Sequence, residues 1–123
     1  MDRNRKYNEE LIKAMNWLGE QPDTIFLGQA VRYAGTGMFN SLLDIPDEKK
    51  LEFPVAENFQ MGYSTGLALN GYVPVSIFPR WNFLLCAADQ IVNHLDKLQS
   101  MSSGKSNPRV IIRVAVGTEN PVD

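Results

Sequence analysis

The stretch from Leu51 to Phe78, LEFPVAENFQMGYSTGLALNGYVPVSIF, decides the fold class of this chain. Leu51-Glu52-Phe53-Pro54 reads as extended, because Pro54 has no place inside a helix and the apolar residues alternate. Val55-Ala56 leads into a helix from about Glu57 to Asn70, which Asn70-Gly71 ends as a left-handed cap. Tyr72 to Phe78 follows as a strand. A helical connection between two apolar strands favours a parallel pair. The helix also places Gly62, Gly66 and Asn70 on one face. Interior glycines cost about 1 kcal/mol each against alanine, so a close approach by a helix, a strand or a cofactor is expected to offset the loss.

Outward from this unit the same alternation continues. Upstream, Tyr7 to Glu20 sets Leu11, Ile12, Met15 and Leu18 at amphipathic spacing before Gln21-Pro22-Asp23 breaks the pattern. Thr24 to Leu27 is a short apolar strand ending at Gly28. Gln29 to Ser41, with Gly35 and Gly37 around Thr36, reads either as an ordinary connection or as a loop that brings its backbone close to something. Asp44 to Lys50, with Pro46, is a turn or short helix. Downstream, Arg80 to Leu98 is a long helix, Ser100 to Pro108 a loop, and Arg109 to Val116 a β-branched strand. The order predicts an α/β fold, a mostly parallel sheet flanked by helices, which binds ligands at its strand carboxyl ends.

Composition narrows the function classes. With 123 residues, 44% hydrophobic and 21% charged, residues 1–123 are expected to form a single domain. A net charge of −2, with basic residues scattered apart from Arg3, Arg5 and Lys6, argues against a nucleic-acid partner. The single cysteine, Cys86, has no internal disulfide partner, and no apolar run suits a bilayer span or a signal peptide. A cytoplasmic location without membrane association is the expectation.

Three side chains stand out as candidates. Glu57 lies between the extended segment and the small-residue helix; from spacing alone it reads first as an acid complementing the helix dipole. Phe83 lies among Leu84, Leu85 and Ala87, company that suits a core aromatic. His94, beside Leu95 and near Val92, reads as structural. No metal-ligand cluster, nucleophile elbow or phosphate-binding glycine loop of the usual spacing occurs.

Taken together, Phe53-Pro54-Val55-Ala56-Glu57 with Gly62, Gly66, Ala68, Gly71 and Pro74-Val75 resembles the core motif of 2-oxo acid dehydrogenase beta subunits. Those subunits, like transketolases, contain the pyrimidine-binding domain of thiamine-diphosphate enzymes. The likeness extends to Phe26-Leu27-Gly28, Gly35 to Phe39, Asn82-Phe83, Ala88 to Asn93, Ser102 to Lys105 and Pro108 to Arg113, and covers nearly all of the chain from Ile25.

The resemblance implies that Glu57 hydrogen-bonds N1′ of the cofactor's aminopyrimidine and promotes the imino tautomer that removes the thiazolium C2 proton. It implies that Phe83 stacks on the aminopyrimidine and that Pro79 lies in the segment lining the pocket. The cofactor would be thiamine diphosphate, shared with an alpha-like subunit carrying the diphosphate-binding domain, which would also hold Mg2+. A Gly-Asp-Gly motif for that role is absent from this sequence. The expected assembly is a hetero-oligomer with self-association, acting on a small 2-oxo acid and inactive as the isolated chain. Ketol transfer of the transketolase type, a catalytically silent assembly or regulatory subunit, and a truncated gene product are the alternatives. Two departures bear on this: Gln29 stands where the subunits usually have an acid, and Ile77 to Trp81 differs from their usual sequence. The chain also reads as incomplete at its carboxyl end, where relatives continue and carry a histidine that has no counterpart here.

Overall fold

Parallel strands organise the structure, a computed structural model that describes residues 3–117. Helix α1 (Arg3–Glu20) precedes strand β1 (Thr24–Gly28), the short helix α2 (Gly37–Asn40) and strand β2 (Lys50–Glu52). Helix α3 (Glu57–Leu69), strand β3 (Val73–Phe78), helices α4 (Trp81–Leu84) and α5 (Asp96–Met101) and strand β4 (Ile111–Val114) complete the described α-helices and strands, and a 3-10 turn at Asp47–Lys49 precedes β2 as the sequence expectation of a turn or short helix there has it. The sheet order is β2-β1-β3-β4 and each neighbouring pair is parallel, which bears out the α/β expectation.

Helices cover both faces of this sheet, so its central strands are apolar nearly throughout. On one face Met15 of α1 joins Phe26, Val75, Ile77, Met38, Leu42 and Ile45, with Leu11 and Leu18 packed alongside. On the other, Met61 of α3 meets Phe78 and Ala87, with Leu84, Ile91, Ile112 and Val114 around them. Lys49 ties the end of α1 to the sheet: its ammonium donates to the carbonyls of Gly19 and Gln21 and to Thr24 Oγ1. A cation there satisfies carbonyls that a helix terminus leaves unpaired.

Three segments differ from the sequence expectation. The Gln29 to Ser41 stretch contains α2, because Thr36 Oγ1 accepts from Phe39 N at 3.1 Å and caps a single turn. The long helix is interrupted by a 3-10 turn at Leu85–Ala87 and a π-helical stretch at Gln90–Leu95, and it runs on to Met101. The last strand is shorter, Ile111–Val114, since only those residues pair with β3. Asn70 and Gly71 close α3 as expected, with Gly71 at φ 93°. No helix among the described residues is long and apolar enough to cross a membrane.

Candidate functional site

In a parallel sheet every strand carboxyl end opens on one edge, and the loops leaving that edge converge. Four such exits meet here: Gln29 after β1, Glu57 after β2, Pro79 to Phe83 after β3, and Ala115 to Gly117 after β4. The sequence-predicted residues Glu57, Pro79 and Phe83 therefore lie on the same edge, with β1 between the exit carrying Glu57 and the exit carrying the other two.

Glu57 is the first residue of α3 and is buried, at 8% exposure. Its Oε1 accepts a hydrogen bond from Gln29 Nε2 at 3.3 Å. Oε2 accepts none from any described residue. The carboxylate is thus steadied through one oxygen and offers the other, a geometry that fits a ring nitrogen able to share a proton.

What places Glu57 is the next turn of its own helix. Gln60 is fully buried; its Nε2 donates to Ser76 Oγ and to the Ile77 carbonyl, both at 3.0 Å, and its Oε1 has no hydrogen-bond partner among the described residues. Gly28 makes this rivet possible. A Cβ at Gly28 would stand 2.1 Å from the Ile77 carbonyl oxygen and 3.0 Å from Gln60 Nε2, and the residue sits at φ 143°. This approach at Gly28 was not expected from the sequence; of the α3 glycines for which one was, Gly62 shows it, its Cβ meeting Gln90 Oε1 at 3.3 Å. Around Gly35, Gly37 and Gly66 nothing lies within 4 Å of such an atom.

Glu52 shapes the loop that carries Gln29. Its carboxylate accepts from the backbone N–H groups of Ala30, Val31 and Arg32 at 3.0, 3.0 and 2.9 Å. Ala30 is held at φ 60°, so the clamp maintains a conformation that a non-glycine residue rarely adopts. Neither Glu52, Gln60 nor Gly28 was singled out as functional from sequence. The signal for Gln60 was a polar residue in line with Glu57, Ser64 and Ala68 on one stripe of α3, all of them buried.

Phe83 is half-buried on α4, with the Arg80 guanidinium 5.9 Å from its ring centre. Pro79, Arg80, Trp81 and Asn82 face Ala115, Val116 and Gly117 across a cavity of about 480 Å3. No hydrogen bond or ring contact joins Glu57 to Phe83 among the described residues. His94 is exposed and pairs with Asp89, Nε2 to Oδ2 3.5 Å, on the outer surface. On α3, exposed Phe59 and Tyr63 cluster with Phe53, ring centres 5.2–6.1 Å apart, beside a cavity of about 400 Å3 floored by Gly66.

The motif around Glu57 resembles that of 2-oxo acid dehydrogenase beta subunits, and comparison with known proteins finds the same likeness. The chain is 32% identical over 100 residues to the pyruvate dehydrogenase E1 component subunit beta of Cyanidium caldarium, covering 78% of this chain and 30% of that protein. It resembles the beta subunit of 2-oxo acid dehydrogenases. The mitochondrial pyruvate dehydrogenase E1 beta subunit of Saccharomyces cerevisiae is 31% identical over 125 residues, 94% of this chain and 34% of that one. The 3-methyl-2-oxobutanoate dehydrogenase subunit beta of Mycobacterium tuberculosis is 34% identical over 67 residues, 54% and 19% respectively. The chain spans about a third or less of the length of these curated relatives. No family model matches it.

Proposed function

We propose that this beta-subunit-like chain is the aminopyrimidine-binding part of a thiamine-diphosphate-dependent 2-oxo acid dehydrogenase, with Glu57 as the acid that activates the cofactor. The observation that carries this reading is the Glu57 carboxylate, buried at the sheet's carboxyl edge with Oε1 held by Gln29 and Oε2 without a hydrogen-bond partner among the described residues. Thiamine diphosphate, when bound, supplies the electron sink for cleaving the bond beside a 2-oxo acid's carbonyl. Glu57 Oε2 holds and moves the proton at N1′ of the aminopyrimidine. Phe83 offers a flat apolar face for that ring, Pro79 lines its pocket, and the apolar surroundings keep water away from the reacting centre.

The diphosphate and its Mg2+ belong, in this reading, to a diphosphate-domain subunit that docks on the open edge. Activity then requires the assembly, and the isolated chain is inactive. Titration calorimetry with thiamine diphosphate and Mg2+ tests this: heat of binding is expected only when the partner is present. Glu57→Gln keeps the shape of the side chain but removes the exchangeable acid, so turnover of the assembly should fall about 100-fold or more. Undiminished turnover would overturn the role of Glu57, and absence of binding with the partner present would favour a silent assembly subunit.

A further inference from the structure

Two acceptor oxygens one turn apart on α3 lack a donor. Glu57 Oε2 accepts no hydrogen bond from any described residue, and Gln60 Oε1 is buried and accepts none either. A buried amide oxygen left unbonded is costly, so a second state that supplies its donor is worth seeking. The helix brings the two side chains together. Residues three apart share a face, and a helical side chain leans over the turn before it, so Gln60 lies over Glu57. Both belong to the buried stripe of α3. Strand β1 and its exit touch both: a Cβ at Gly28 would stand 3.0 Å from Gln60 Nε2, and the next residue, Gln29, reaches Glu57 Oε1 at 3.3 Å. The Gln60 carboxamide cannot turn over to find a donor elsewhere. Its Nε2 bridges Ser76 Oγ and the Ile77 carbonyl, and an oxygen in that place would face the carbonyl.

We propose that the donor is the proton of Glu57 itself: when the acid is protonated, its O–H donates to Gln60 Oε1, which makes Gln60 a positioning residue for that form. This rests on the proposed function above, in which Glu57 exchanges a proton with N1′. In the chain without cofactor Gln60 takes the place of that ring nitrogen, since both are acceptors for the same proton. When Glu57 hands the proton over, its O–H bond breaks, an N–H bond forms at N1′, and the carboxylate stays bonded to Gln29. Among the described residues no charged group on the surrounding elements is paired with Glu57. The Glu52 carboxylate accepts from the N–H groups of Ala30, Val31 and Arg32, the Arg32 guanidinium is turned to Asp47 at 3.7 Å, and Arg80 lies over Phe83.

Glu57→Gln tests this at neutral pH, because it keeps the shape of the side chain and replaces the exchangeable O–H with a permanent N–H donor. In the full-length chain the side-chain carbonyl carbon of Gln60, followed by carbon NMR, is expected to move to lower field on this substitution. Glu57→Leu, which removes the charge and supplies no donor, should leave that signal in place. The new bond should also shift the unfolding equilibrium about fivefold towards the folded chain relative to Glu57→Leu, a difference that a Gln60→Met background removes. An unmoved Gln60 carbon in Glu57→Gln, the same movement in Glu57→Leu, or a stability difference that persists with Gln60→Met would each overturn the proposal. If Gln60→Met does not fold, the carbon signal alone decides. None of these readouts uses the cofactor. Failure of thiamine diphosphate to bind the assembled enzyme would therefore count against the proposed function separately.

Discussion

Among the described residues, a single amide holds the Glu57 carboxylate, so Gln29 is where the acid's position can be tested without touching the acid. Gln29→Leu removes the donor while keeping most of the volume. If the proposed function holds, turnover of the assembly should fall about tenfold with the melting temperature of the chain nearly unchanged. Glu52 is the opposite case, a carboxylate whose work is structural. Because it accepts from three backbone N–H groups, Glu52→Ala should cost about 2–3 kcal/mol, read from the urea midpoint, and should loosen the loop that carries Gln29. Glu57 and Phe83 are candidates from sequence because the motif around them is ordered along the chain. Gln60 and Glu52 could not, because each acts through groups distant in sequence: Gln60 through Ser76 and the Ile77 carbonyl, and Glu52 through a loop preceding it by some twenty residues.

At the level of elements, β1, α3 and β3 were legible because their patterns are local: a short apolar run ending in glycine, a capped helix and a β-branched strand. The start of α3 at Glu57 and its end at Leu69, capped by Asn70, follow from Pro54 upstream and Gly71 downstream. The stretch after β3 was less legible, since its leucines and alanines suit a continuous helix and nothing local marks the π-helical turn at Gln90–Leu95. That turn carries Gln90, whose side chain packs on Gly62, so a contact between two elements accompanies the irregularity. The junction of β1 with β3 bears the tightest constraint. Gly28→Ala would drive a Cβ into the Ile77 carbonyl and should destabilise the chain by about 3 kcal/mol or more; thermal unfolding monitored by circular dichroism checks it.

Across the whole molecule, two features distinguish what the chain needs alone from what an assembly would use. Arg113 shares the register of Ile77 and so points to the α1 face, where burial lowers its pKa and Nη1 finds no hydrogen-bond partner. Arg113→Met should therefore raise the stability of the isolated chain by about 1 kcal/mol, visible as a higher melting temperature. Gly66 has open space around it, so Gly66→Ala should add about 1 kcal/mol through helix propensity in the isolated chain. If the partner docks on that face, Gly66→Leu should weaken assembly in sedimentation while leaving the monomer folded. The all-parallel sheet has a further consequence, for the order of events in folding. Strand β1 emerges first from synthesis, yet its neighbours β2 and β3 come later, and β4 follows last. No hairpin exists among these strands to nucleate the sheet, so every pairing waits for a long loop to close. Ile25, Phe26 and Leu27 must meanwhile stay uncovered on the nascent chain, which makes this segment the natural client site for a holdase during translation.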